Sequence, residues 1–471
     1  MDMAEFEIID SYHVQGIRVF EYLFVVPLDY KEPTSGVKIK VFARRVVPVE
    51  EADETDPDKC KRPYMIYLQG GPGFECEAPL SKSGRTKELI DRGYQVLYLD
   101  QRGTGYSAPI SFGTLKSNGT DEQKARYLAL FRADSIVHDC EEIRKVLLKD
   151  SAEKKWSLLG QSFGGFCAVT YLSFYPESLK DVLITGGVPP LSDGPDPVYE
   201  GLYSMSTVRL MSNANKLSSE RVIKRNKAYY EKFPKDIQKV RNILSYLATH
   251  EVLLPNGGIL SVERFQQLGL DFGRHQGMDT VHQLVSKASF DLDVVGEITY
   301  NTRSRIESAQ GFDSNILYAC IHEAIYCQGE PSNWSAERLR SQHGQFFNWH
   351  VVSAHSDPNV PIFFTGEMIY KSMFDDYAEL RDLKGAAEIL ASKTDWPKLY
   401  DIPTLNKTTA RVAAVSYFND IYVDLDLSVE AASQINGCRQ WVTSEFLHNG
   451  LTVNPSRVLG ELFRLLENDV E

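Results

Sequence analysis

The residues Gly160-Gln161-Ser162-Phe163-Gly164-Gly165 constrain this chain more than any others. Trp156-Ser157-Leu158-Leu159 before them reads as a buried strand, and Phe166-Cys167-Ala168-Val169-Thr170-Tyr171-Leu172 after them as a helix. A strand can pass directly into a helix only through a very tight turn. Glycines two positions either side of the serine remove side chains that would collide there with strand or helix. Such a turn pushes the Ser162 hydroxyl clear of the backbone, where a base can reach it. A glycine–serine turn in isolation is usually only a turn. The reading gains weight from the residues upstream and downstream.

A chain of 471 residues has room for one large domain with an insertion, or for two domains. With 43% hydrophobic and 24% charged residues its composition is that of an ordinary globular protein. The net charge of −13 argues against nucleic acid as a partner and admits a cationic group on a substrate, although solubility alone accounts for it. The seven cysteines are scattered, without C-x-x-C or metal-ligand spacing, and predict free thiols in a reducing compartment, read as the cytoplasm. Met1-Asp2-Met3-Ala4-Glu5-Phe6 lacks a basic and then apolar leader, so no secretion signal is expected. No run of 18 apolar residues occurs, so no membrane span is expected. The sequons at Asn118, Asn333 and Asn406 are read as chance matches.

Residues 17–27 and 37–47 read as strands of an antiparallel edge, split by a turn at Pro33-Thr34-Ser35-Gly36, and the acidic segment 49–62 reads as a loop. The apolar runs Pro63 to Leu68 and Tyr94 to Leu99 each end in glycine-rich turns, as buried parallel strands do. Ile136, Cys140, Ile143 and Leu147 share one face of a helix over 134–148, with Asp134 or Ser135 as its N-cap. Asp181 to Thr185 is a further strand. Alternating strands and helices imply a doubly wound, mostly parallel sheet. From 191 to 403 the pattern is mostly helix and loop, which predicts a large helical cap inserted after the sixth strand. Sheet character resumes at Arg411 to Val415 and Arg439 to Thr443, followed by a helix from Pro455 to Leu466. The expected division is therefore 1–190 with 404–471 as a sheet domain, and 191–403 as the cap.

A serine nucleophile needs a base, and the base needs an acid to orient it. Both follow at strand ends: Asp420 after 411–415, and His448 after 439–443. His448 is the only histidine beyond His355; Asp420 competes with Asp424 and Asp426 but lies nearest its strand. The stretch 420–426 lacks the glycine and spacing of a calcium loop. The order Ser, Asp, His is that of α/β-hydrolases. The oxyanion hole needs two backbone N–H groups: Phe163, after the nucleophile, and Gly71 in Gln69-Gly70-Gly71-Pro72-Gly73, since Pro72 has none. A cis bond between Gly71 and Pro72 is allowed but not legible. This chemistry calls for no metal or organic cofactor.

Three ordered motifs resemble the proline iminopeptidase (prolyl aminopeptidase) family of α/β-hydrolases. That family carries H-G-G-P-G, D-Q-R-G-x-G-x-S and G-x-S-x-G-G, then Asp and His on the last loops. Gln69 stands here for the histidine, while Asp100 to Ser107 matches in full. The match covers about 60–191 and 405–470. The resemblance implies removal of an N-terminal residue, preferably proline, from peptides with a free N-terminus. It also implies cap carboxylates that hold the substrate's protonated amine, for which Glu323, Glu367 and Glu75 are candidates. An esterase, or an aminopeptidase of other specificity, would use the same machinery. A binding protein of the same fold would usually have lost a triad residue. Epoxide hydrolases and dehalogenases place Asp at the elbow.

Overall fold

Tyr64-Met65-Ile66-Tyr67-Leu68 and Gln95-Val96-Leu97-Tyr98-Leu99 are buried along their whole length. Strands this apolar on both faces must be covered on both faces, and they lie side by side in the middle of the sheet. In the computed structural model, which describes residues 4–32, 36–53, 57–192, 194–203 and 221–467, nine strands make one sheet. They are β1 (Glu5–Val14), β2 (Ile17–Pro27), β3 (Lys38–Pro48), β4 (Tyr64–Leu68), β5 (Gln95–Leu99), β6 (Trp156–Gln161), β7 (Leu179–Thr185), β8 (Arg411–Tyr417) and β9 (Arg439–Thr443). Their spatial order is β1-β2-β3-β5-β4-β6-β7-β8-β9. The first three and the β3–β5 pair are antiparallel; from β5 to β9 every pairing is parallel.

Side chains alternate across the parallel strands, so each strand feeds two cores. Met65, Tyr67, Leu159, Leu183 and Val415 meet Leu89 and Ile90 of the helix Gly84–Asp91 and Val458, Leu459 and Leu462 of the helix Pro455–Glu467. Ile66, Leu158, Val182 and Ala414 meet Ile136 and Cys140 of Ala133–Leu147 and Val169 and Leu172 of Phe163–Phe174. This is the doubly wound arrangement expected.

The strand β1 is absent from the sequence reading. Seven of its ten residues are exposed, so no burial period marks it, and it pairs with β2 alone. It shifts the count by one: the strand read as sixth is β7, and the long insertion follows that strand. The helix read over 134–148 begins at Ala133 after Arg132, which leaves Asp134 in the first turn rather than at the cap. The turn at Pro33-Thr34-Ser35 lies outside the described residues, as do 204–220 of the insertion.

Between β7 and β8 the described residues form helices, turns and loops, with one isolated bridge between Leu253 and Ile259. This segment shares a core with the second sheet face: Tyr326 packs edge-on against Phe166 of the elbow helix, centroids 5.6 Å apart. No helix of the described residues is long and apolar enough to cross a membrane.

Candidate active site

At the end of β6 the backbone turns abruptly. Ser162 has φ 53° and ψ −123°, a conformation that costs a non-glycine residue about 1–3 kcal/mol. The neighbouring glycines show why the turn closes only with this sequence. A Cβ on Gly160 would lie 2.4 Å from the Gly164 carbonyl oxygen, and one on Gly164 would lie 2.0 Å from that of Leu68. Helix Phe163–Phe174 starts at the next residue, so the Phe163 amide belongs to the first turn, where N–H groups have no helical acceptor.

The loop after β4 crosses directly over this serine. A Cβ on Gly70 would sit 2.9 Å from the Ser162 Cβ, and the Gly71–Pro72 bond is cis. Gln69 of this loop is held by a side chain of β4. Tyr67, wholly buried on β4, places its hydroxyl 2.6 Å from Gln69 Oε1 and 2.9 Å from Gln161 Oε1. A phenol has one proton, which it gives to one of these amide oxygens at a time. The residue before Gly70 and the residue before Ser162 are thus tied to one side chain. Gln101 Nε2 also donates to the Gln69 carbonyl at 2.9 Å. The rest of the Asp100–Ser107 motif is a brace. The Asp100 carboxylate accepts from the amides of Cys76 at 2.9 Å and Tyr106 at 3.1 Å, and Arg102 donates two buried hydrogen bonds to the Asp139 carboxylate at 2.7 and 2.6 Å.

On the far side, Asp420 Oδ2 lies 2.7 Å from His448 Nδ1. Its other oxygen accepts the amides of Tyr422 at 2.8 Å and Val423 at 3.3 Å, which fixes the carboxylate's rotation. Asp424 is occupied elsewhere: it caps the helix Leu425–Ser433 through the Leu427 amide and pairs with Arg221. The Gly186-Gly187 turn after β7 backs both functional groups. A Cβ on Gly187 would lie 2.1 Å from the Ser162 carbonyl oxygen, and one on Gly186 would lie 3.3 Å from His448 Nδ1. Burial lowers the proton affinity of His448, but the charge and hydrogen bond of Asp420 and the charge of Glu367 outweigh it, and the net shift is upward.

The candidate amine-binding acids fall in different places. Glu367 is held in the site: its carboxylate accepts the Tyr318 hydroxyl, and Tyr318 packs edge-on against Phe74 of the β4 loop at 5.3 Å. Burial pushes its carboxyl above the usual range, opposed by the charge of His448 and the Tyr318 bond. Glu323 instead receives the amides of Ser335 at 3.1 Å and Ala336 at 2.9 Å, at the start of the helix Ser335–Ser341. Burial drives its carboxyl up to about 7, against those bonds. Glu75 is exposed on the loop beyond Gly73. Tyr67 and Tyr318 carry no motif in the sequence. A tyrosine inside an apolar five-residue strand was a usable signal for the first, since a buried hydroxyl must find a partner.

A strand–serine–helix turn, backed by a parallel sheet and facing loops after β8 and β9, places the chain among the α/β-hydrolases, and the α/β hydrolase fold family matches residues 63–211. The chain is 36% identical over 475 aligned residues to proline iminopeptidase aneH of Aspergillus aculeatus, covering 100% of this chain and 99% of that protein. It is 38% identical over 456 residues to the proline iminopeptidase of Aeromonas sobria, covering 96% and 98%. The chain belongs to the proline iminopeptidase family.

Proposed function

We propose that the protein is a serine aminopeptidase that releases an N-terminal residue, preferably proline, from peptides. The observation that carries the reading is the Asp420–His448 pair at 2.7 Å, set beside the turn that backs the strained Ser162, in a chain of this family. Ser162 attacks the carbonyl of the N-terminal residue while His448 takes its proton. Asp420, bonded at Nδ1, keeps the proton there and the lone pair on Nε2, the nitrogen that takes the serine proton. The Phe163 and Gly71 amides receive the oxyanion of the tetrahedral intermediate. His448 then protonates the leaving amine and activates the water that hydrolyses the acyl-enzyme.

An N-terminal prolyl nitrogen is protonated and secondary, and needs an anion beside the scissile carbonyl. Glu367 is the better supported partner, being coupled electrostatically to His448 and Asp420. Glu323 is the weaker one, since two amides already occupy its oxygens. Residues 191–403 act as the cap that closes the pocket over the N-terminus, a role supported by the packing of Tyr318 on Gly73 and of Tyr326 on Phe166. A cytoplasmic location is supported by seven free cysteines, six of them buried.

A panel of proline, alanine and other amino-acid arylamides, run beside short acyl esters, tests the reading. Proline arylamide should turn over fastest, and Ser162→Ala should abolish turnover and fluorophosphonate labelling without unfolding the protein. Ester cleavage with no arylamide cleavage would refute the aminopeptidase assignment.

A further inference from the structure

A peptidase that grips an N-terminal ammonium still has to meet the other end of its substrate. The side chain placed to do so is Arg274, in the inserted segment. Its backbone is pinned to the loop of the proposed base from both sides. The Gly273 carbonyl accepts the His448 amide at 3.2 Å, and the His275 amide donates to Asn449 Oδ1 at 3.0 Å. The Arg274 amide itself closes a turn on the Asp271 carbonyl at 3.0 Å. The residue therefore stands beside His448 on a rigid support rather than on a loose loop.

Among the described residues its guanidinium has no hydrogen-bond partner. The side chain is 54% exposed, and within the described residues it meets one carboxylate inside 4 Å, Asp271, at 3.8 Å, too long for a hydrogen bond. Neighbouring arginines are committed. Arg225 gives two hydrogen bonds to the Phe272 carbonyl at 3.0 and 2.8 Å, and Arg221 bonds Asp424 at 3.1 Å and the Phe418 carbonyl at 2.9 Å. The charge of Arg274 reaches the site: it lowers the proton affinity of both Glu367 and His448. A cation and a carboxylate thus act with opposite sign on one imidazole.

We infer that Arg274 binds the free C-terminal carboxylate of short substrates, so that the enzyme is tuned to dipeptides that begin with proline. This inference rests on the aminopeptidase reading above. A guanidinium fork matches a carboxylate with two parallel hydrogen bonds, which a neutral amide or an aryl ring cannot reciprocate. Each added residue moves the carboxylate outward by about 3.5 Å, so a tripeptide overshoots a fixed fork.

The test compares kcat/KM for Pro-Ala, Pro-Ala-amide, Pro-Ala-Ala and proline p-nitroanilide in the wild type, Arg274→Gln and Arg274→Lys. The wild type should prefer Pro-Ala over Pro-Ala-amide by about tenfold or more, the scale of one charge-assisted hydrogen bond. Arg274→Gln should collapse that ratio toward one, and Arg274→Lys should restore part of it. A wild type that treats acid and amide alike, or a ratio that survives Arg274→Gln, overturns the inference while leaving the aminopeptidase reading intact. No cleavage of any of the four substrates by the wild type overturns both.

Discussion

Asp420→Asn is the substitution whose outcome the geometry dictates most fully. Asp420 Oδ1 accepts two buried amides, Tyr422 at 2.8 Å and Val423 at 3.3 Å, while Oδ2 faces His448 Nδ1. An asparagine in this place must keep its carbonyl toward the two amides, because turning it would leave both donors facing an NH2 group. That orientation aims the NH2 at His448 Nδ1, which must then accept. The imidazole proton moves to Nε2, and the base no longer has a lone pair toward Ser162. Restoring the productive tautomer means turning the amide and leaving two buried N–H groups unpaired, at about 1–3 kcal/mol each. Loss of the anion that supports the imidazolium adds about 1.5–3 kcal/mol. Together the barrier should rise by about 3.5 kcal/mol or more, a loss of at least roughly 300-fold in kcat. KM should change little, because no substrate contact is lost. The assay is steady-state hydrolysis of proline p-nitroanilide, with circular dichroism to confirm the fold. An Asn variant keeping more than a tenth of wild-type kcat would refute the argument.

Other expectations follow from the same geometry. Ser162→Gly relieves the positive φ that Ser162→Ala retains, so the inactive glycine variant should be more stable than the inactive alanine variant by about 1 kcal/mol in urea unfolding; equal midpoints would remove the strain argument. Tyr67→Phe unties the β4 loop from the elbow, and should lower kcat about tenfold with KM within about twofold, the loss of one hydrogen bond's worth of positioning. A KM effect alone would count against it. For pH, His448 must be neutral to act, and its proton affinity is raised, so kcat/KM should climb with pH through a point above the ordinary imidazole value. Glu367→Gln removes one of the charges that raise it, so the acid limb should move to lower pH while kcat/KM for free-amine substrates falls; an unmoved limb would separate Glu367 from the site.

Much of this protein was legible in order along the chain. The elbow needs glycine at 160 and 164 because backbone carbonyls occupy the space a Cβ would take, and that demand is local enough to be written in six residues. The parallel strands betray themselves because both faces are buried, which forces continuous apolar runs. Asp420 and His448 were found by their position after strands, a consequence of how a parallel sheet gathers its loops at one edge. The strand β1 escaped because it is exposed and exists by pairing with β2 alone.

The sequence by itself therefore determined the sheet, the elbow and the candidate catalytic residues, because each rests on periodicity or on contacts within a few positions. Only the tertiary structure decided among chemically equivalent side chains. Glu323 and Glu367 look alike in sequence, yet one receives the first amides of a helix and the other the hydroxyl of Tyr318, which packs on the loop after β4. Tyr67 links residues 69 and 161, and Arg274 stands beside His448 through bonds spanning some 170 positions. Which carboxylate, phenol or guanidinium is left free for a substrate depends on which partners folding brings to the others, and no local pattern carries that.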